Sequence, residues 1–226
     1  QAAFDKVKSE FEQRYQQTWF ASYGFDNKYV FLVRKDTAEK YGLEKVSDLK
    51  DVADQLVAGV DTAWITRVGD GYDGFQKVYG FSFQNILPMQ IGLVYDAVDN
   101  GKMDIVLGYS TDGRIGSYDL VMLEDDLNFV RPWDAQPIGA GKILNHTPQI
   151  HDDLHNVADN IDTEKMQELN YQVDNDLLEP TVVAERFLEE NNYFEVEWRN
   201  GRHECIPTIS FLFSRKWRLC FCSVHS

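Results

Sequence analysis

The residues of this chain best placed to do chemistry are aromatic side chains beside small polar ones, at the ends of short apolar runs. Tyr29 opens the run Tyr29-Val-Phe-Leu-Val, with Phe25 and Asn27 just ahead of it. Tyr109 follows Asp104-Ile-Val-Leu-Gly, and Ser110, Thr111 and Asp112 come directly after. Trp133 stands beside Asp134 at the end of Phe129-Val-Arg-Pro-Trp. Aromatic faces that converge without an acid, base or nucleophile make a box that attracts a cation through the ring quadrupoles, at about 0.5–2 kcal/mol per contact. A quaternary ammonium suits such a box, because its methyl groups donate no strong hydrogen bonds. For any one ring taken singly, a place in the hydrophobic core is the plain alternative.

Other chemistries find less support. Acyl transfer needs a nucleophile, a base and an orienting group, and no G-x-S-x-G elbow accompanies the histidines at 146, 151, 155, 203 and 225. His151 and His155 have the i, i+4 spacing of a helical metal pair, but no HExxH pattern surrounds them, so a solvated helix face is the better reading. Cys220 and Cys222 have no second pair to complete a zinc site. Asp70-Gly-Tyr-Asp-Gly offers oxygen ligands without the closing Glu of a calcium loop, and reads as a turn. The glycines between 69 and 74 and between 108 and 116 match no phosphate-binding fingerprint.

The elements that must position the aromatics follow from periodicity. Phe4, Val7, Phe11 and Tyr15 predict an amphipathic helix over residues 3–16. Tyr29 to Val33 is too apolar for an exposed edge and predicts a buried strand. Asp36 is placed to cap a short helix ending at Gly42, and Ser47-Asp48-Leu49 opens another. Gln55 to Val60 and Asp104 to Leu107 predict strands, with helices over 72–79 (Phe75 and Val78 on one face) and 90–100 between them. Helix, tight Asn100-Gly101 turn and buried strand are half of a βαβ unit, so a largely parallel sheet is expected. Val121-Met-Leu is a further strand. Helices follow from Asn145, the last of them with Val182, Val183, Phe187 and Leu188 inward.

Composition sets outer bounds. The chain has 226 residues, enough for one large domain or two small ones, and 43% hydrophobic content marks a folded protein. A net charge of −15 argues against nucleic acid, which is bound through clustered Lys and Arg. Arg199, Arg202, Arg215, Lys216 and Arg218 make residues 196–226 basic against that background, and all three cysteines fall there. The break predicts a boundary near Glu195, with an atypical tail beyond it that carries one short strand-like run, Ile209 to Phe213.

Taken in order, Asp26-Asn-Lys-Tyr-Val-Phe-Leu-Val-Arg-Lys-Asp-Thr-Ala-Glu-Lys-Tyr-Gly-Leu, Val46-Ser-Asp-Leu, Asp70-Gly-Tyr, Tyr79-Gly-Phe, Ile91-Gly-Leu, Tyr109-Ser-Thr-Asp-Gly, Leu123-Glu-Asp-Asp and Leu169-Asn-Tyr-Gln-Val-Asp form a series. Over residues 1–194 it resembles the substrate-binding proteins of osmoprotectant ATP-binding cassette importers, the glycine betaine, carnitine and choline group. The resemblance implies an α/β fold of the type II periplasmic-binding-protein kind, two lobes with central, mostly parallel sheets and ligand clamped between them. It implies residues 1–36 as part of lobe one and a crossover, 37–132 as lobe two, and 133–195 as the return crossover and C-terminal helices of lobe one. Tyr29, Tyr109 and Trp133 would wrap a trimethylammonium head, with Trp133 where the family often has Tyr. Asn27 and Thr111 would hold the other end, and Asp112 would be a turn residue orienting Thr111. Relative to the family, a segment of lobe one ahead of Gln1 is missing, so a fragment is expected.

No catalytic residue, metal or cofactor is implied. The implied partners are a small quaternary ammonium ligand and the membrane permease of an importer, in an extracytoplasmic setting, lipid-anchored or permease-fused. Two rivals stand beside this reading: a small α/β hydrolase or transferase using Asp104 or Asp112 as base, and a truncated remnant that binds nothing.

Overall fold

The computed structural model describes residues 2–131 and 133–193. The basic tail, its cysteines and the strand expected at Ile209 to Phe213 lie outside the described residues. In chain order the elements are α1 (Ala2–Tyr15), β1 (Gln17–Trp19), β2 (Tyr29–Arg34), α2 (Lys35–Tyr41), a 3-10 turn (Val46–Asp51), β3 (Val57–Asp61), α3 (Thr62–Ile65), α4 (Tyr72–Tyr79) and β4 (Asn85–Met89). There follow α5 (Ile91–Asp99), β5 (Ile105–Tyr109), α6 (Arg114–Ser117), β6 (Leu120–Met122), β7 (Ile138–Ala140), α7 (Gly141–His146), α8 (Gln149–Asn156), α9 (Thr163–Asp174) and α10 (Pro180–Glu190). The described residues form two compact units, one within 22–135 and 159–175, the other within 2–21, 136–158 and 176–193.

The first unit is built on a five-stranded sheet of order β4-β3-β5-β2-β6. β3 lies parallel to β4 and β5, whereas β2 lies antiparallel to β5 and β6. The sheet is therefore mixed rather than largely parallel, because β2 runs against both of its neighbours. β2 alternates as a two-sided strand must. Phe31 and Val33 join one apolar cluster with Leu49, Val60, Trp64, Phe75 and Leu107, while Val30 and Leu32 join another with Val94, Tyr95, Val98 and Val106.

Local details correct several expectations. Asp36 sits inside the first turn of α2 rather than capping it; its carboxylate accepts from the Thr37 N–H at 2.7 Å. Gly42 ends that helix in the left-handed region, at φ 65°. Phe75 is fully buried, but Val78 is exposed, because the core-facing stripe of α4 runs through Phe75 and Tyr79. Asp104 accepts from the Val57 N–H at 2.9 Å and lies 3.6 Å from the Arg34 guanidinium. It fastens β3 to the turn before β5.

The second unit pairs β1 antiparallel with β7, Trp19 facing Ile138. Phe4 and Phe11 of α1 pack edge-on against Trp19, at 5.8 and 5.2 Å between ring centroids. His151 of α8 packs edge-on against Phe20 at 5.1 Å. On α10, Val183 and Phe187 are buried while Val182 is exposed, correcting the expected inward set.

Candidate ligand site at the end of the mixed sheet

The site grows from one register. Tyr29 faces Tyr109 across β2 and β5, and the neighbouring Ser110 N–H donates to the Lys28 carbonyl at 2.9 Å. With residues 28 and 110 hydrogen-bonded, 29 and 109 form the non-hydrogen-bonded pair, in which side chains come closest. Their rings stack at 5.0 Å between centroids with an interplanar angle of 25°. Both are half-buried, leaving an aromatic surface at the strand ends.

Polar neighbours fix this pair. The Tyr29 hydroxyl donates to Asp61 Oδ2 at 3.0 Å, and the Tyr109 hydroxyl lies 3.5 Å from the Tyr29 oxygen. Burial, reinforced by the hydroxyl of Tyr109 and the carboxylate of Asp61, pushes the Tyr29 phenol far above the usual tyrosine range, so it is protonated and a donor at any physiological pH. The Tyr109 N–H donates to the Tyr95 hydroxyl at 2.8 Å. That hydroxyl reaches the strand only because residue 108 is glycine: a Cβ there would stand 2.7 Å from it. Asp112 grips Arg114 through both carboxylate oxygens, at 2.9 and 2.8 Å, and the guanidinium lies 4.1 Å above the Tyr95 ring. Asp112 thus steadies the support behind Tyr109 through Arg114, where the sequence suggested a turn residue orienting Thr111.

The remaining expected residues fall around this core. Thr111, buried, donates to Asn27 Oδ1 at 3.1 Å. Ser110 Oγ donates to the Asp26 carbonyl at 2.9 Å and accepts from the Lys28 N–H at 3.1 Å. From α9, Gln167 and Asn170 donate to the carbonyls of Ser110 and Thr111 at 2.6 and 2.9 Å. Trp133 is brought to the same segment by its backbone, its carbonyl accepting from the Asn27 N–H at 3.1 Å. The residue is 54% exposed. Phe25 stacks instead on Tyr23, at 6.2 Å.

Sequence reasoning missed Asp61, Arg67, Tyr95 and Arg114. The Arg67 guanidinium, paired with Asp70, lies over the Tyr29 ring, 6.0 Å from its centroid. Its pKa is raised, chiefly by the hydrogen bond to Asp70. Asp61 carried a weak signal, a carboxylate closing an apolar strand just ahead of a helix. A cleft of about 450 Å³ opens beside Tyr29, which lines it together with Glu44, Tyr79, Asp125 and Phe129. Asp125 there is already engaged by the Tyr79 hydroxyl and by the Phe129 and Val130 N–H groups.

This α/β fold, with a stacked tyrosine pair at its strand ends, is that of a type II periplasmic binding protein. A solved structure described as a glycine betaine/carnitine/choline ABC transporter superimposes with a TM-score of 0.80 at 46% identity, over 86% of this chain and 71% of that one. Residues 1–190 match the family described as the substrate binding domain of ABC-type glycine betaine transport systems, and the chain belongs to that family. It is 51% identical to the carnitine transport binding protein OpuCC of Listeria monocytogenes, over 85% of this chain and 63% of that protein. It is 31% identical to the ergothioneine transport permease/ergothioneine binding protein EgtU of Helicobacter pylori, over 82% of this chain and 34% of that protein. The chain thus spans less than two thirds of the length of these curated relatives.

Proposed function

We propose that the chain is the ligand-binding part of an extracytoplasmic receptor that delivers a quaternary ammonium osmolyte (glycine betaine, carnitine or choline) to a membrane importer, and that it catalyses no reaction. The observation that carries this reading is the Tyr29–Tyr109 stack, which offers π-faces to a cation whose charge is buried under methyl groups. Trp133, whose carbonyl is hydrogen-bonded to the Asn27 N–H, supplies a further wall. Thr111 occupies the Asn27 amide oxygen, so the amide nitrogen is the group that donates to the ligand's polar end. Arg67, the cation beside the stack, holds a carboxylate where the ligand carries one.

The test is calorimetric titration of glycine betaine, carnitine and choline into the chain and its variants. Tyr109→Ala and Trp133→Ala are each expected to weaken glycine betaine about tenfold, one lost cation–π contact. Unchanged affinity in both sinks the cage. Arg67→Gln is expected to weaken carnitine several-fold while leaving choline, which has no carboxylate, within about twofold; equal losses for the two ligands remove Arg67 from the site.

A further inference from the structure

Three adjacent strands of the sheet bring a residue to the same end: Asp61 closes β3, Tyr109 closes β5 and Tyr29 opens β2. Each oxygen of Asp61 has a separate task. Oδ1 accepts from the Ala63 N–H at 3.3 Å and caps α3, while Oδ2 accepts from the Tyr29 hydroxyl at 3.0 Å. Because an ionised carboxylate only accepts, it fixes the direction of the whole chain of hydroxyls: Tyr29 must donate to Asp61, which leaves the Tyr29 oxygen to receive the Tyr109 hydroxyl.

We infer that Asp61 is a positioning residue of the binding site, holding the Tyr29 ring at its angle to Tyr109 and enriching its face for a cation. This rests on the cage reading given above. Two effects act together. The charge-assisted bond is roughly twice as strong as one between neutral groups, so the half-buried ring is held at its outer end and not only by its Cβ. A phenol donating to a carboxylate is also polarised toward phenolate, which adds electron density to the face that meets the ligand. Asp61 reaches the ligand only through Tyr29.

Asparagine separates the two tasks. Its single oxygen caps α3 as well as aspartate does, but its other terminal atom is an N–H donor, which cannot accept from Tyr29. Asp61→Asn is therefore expected to keep a cooperative fold, with the melting temperature lowered by no more than about 10 °C, and to weaken glycine betaine and choline alike, about three- to tenfold by calorimetry. Tyr29→Phe is expected to show a similar loss, and Asp61→Asn added to Tyr29→Phe to cost nothing more. An equal Asp61→Asn loss in both backgrounds overturns the inference, because Asp61 would then act on the fold or on the ligand directly. Should the unaltered chain bind neither ligand, the cage reading falls, and the hold of Asp61 on Tyr29 is read without ligand. In protein labelled with 3-fluorotyrosine, the fluorine resonance missing from Tyr29→Phe identifies Tyr29. That resonance is expected to move in Asp61→Asn, and an unmoved resonance overturns the inference.

Discussion

Two groups of rings lie in the same unit and are held by different means. One surrounds Phe75, which touches Phe31, Trp64, Tyr79, Phe81, Phe83 and Phe129 at 5.1–6.2 Å between centroids. The other is the Tyr29–Tyr109 pair, held by Asp61, by the Tyr95 hydroxyl and by the strand register. Phe75 has no polar atom and is fully buried, so mutual packing alone fixes it. The tyrosines are only half-buried, so packing alone holds them less firmly. Their hydroxyls and main chain are tied instead. Polar supports hold the tyrosine pair at the end of the sheet, whereas Phe75 is held only by the side chains around it.

That contrast can be broken by experiment. The largest expected effect is Phe75→Ala, which empties the centre of the core and should cost about 3–5 kcal/mol in urea unfolding. Tyr109→Ala, though expected to weaken ligand binding, should cost only about 1–2 kcal/mol of stability, the worth of one ring stack and part of its burial. If the two cost the same, the tyrosine pair is core and not surface.

A smaller effect appears in alkali. Burial pushes the Tyr29, Tyr79 and Tyr95 phenols above the ordinary tyrosine value near 10, and the Asp125 carboxylate pushes Tyr79 up further. Above about pH 10 the unfolded chain releases protons that the folded one keeps, so the stabilisation present at neutral pH is lost as pH rises toward the folded values. The urea midpoint is expected to fall between about pH 9 and 11, and to fall less steeply in Tyr79→Phe. A midpoint independent of pH over that range would show that these phenols are not shielded.

Much of this was legible in the sequence. The apolar run of β2, the helix over 72–79 and the ends at Gly42 and Gly80 follow from local pattern, and the structure places them within a residue or two. β4 escaped notice because Pro88 sits inside it; an edge strand tolerates a residue without an N–H. The parallel sheet was overestimated because strand direction is set by connections, and periodicity carries no information on them. Tyr29, Tyr109, Asn27 and Thr111 were legible as a set, and the structure brings these four together. Asp61, Arg67 and Tyr95 were not, because each supports the pair from a distant stretch of chain and looks locally like a cap, a turn residue or a core ring.

The pairing of β2 with β5 also bears on how the chain reaches its native state. Tyr29 and Tyr109 are joined by a register that closes a loop of some eighty residues, and contacts so far apart in sequence are made late, after local helices and turns. Since a slip of one residue between β2 and β5 would turn one ring to the face opposite the other, the stack exists only when that closure is complete and correct. Its optical signal is therefore an endpoint marker for folding, separable from the earlier burial of Phe75. A newly made chain would form the tyrosine stack only once this long-range pairing is made.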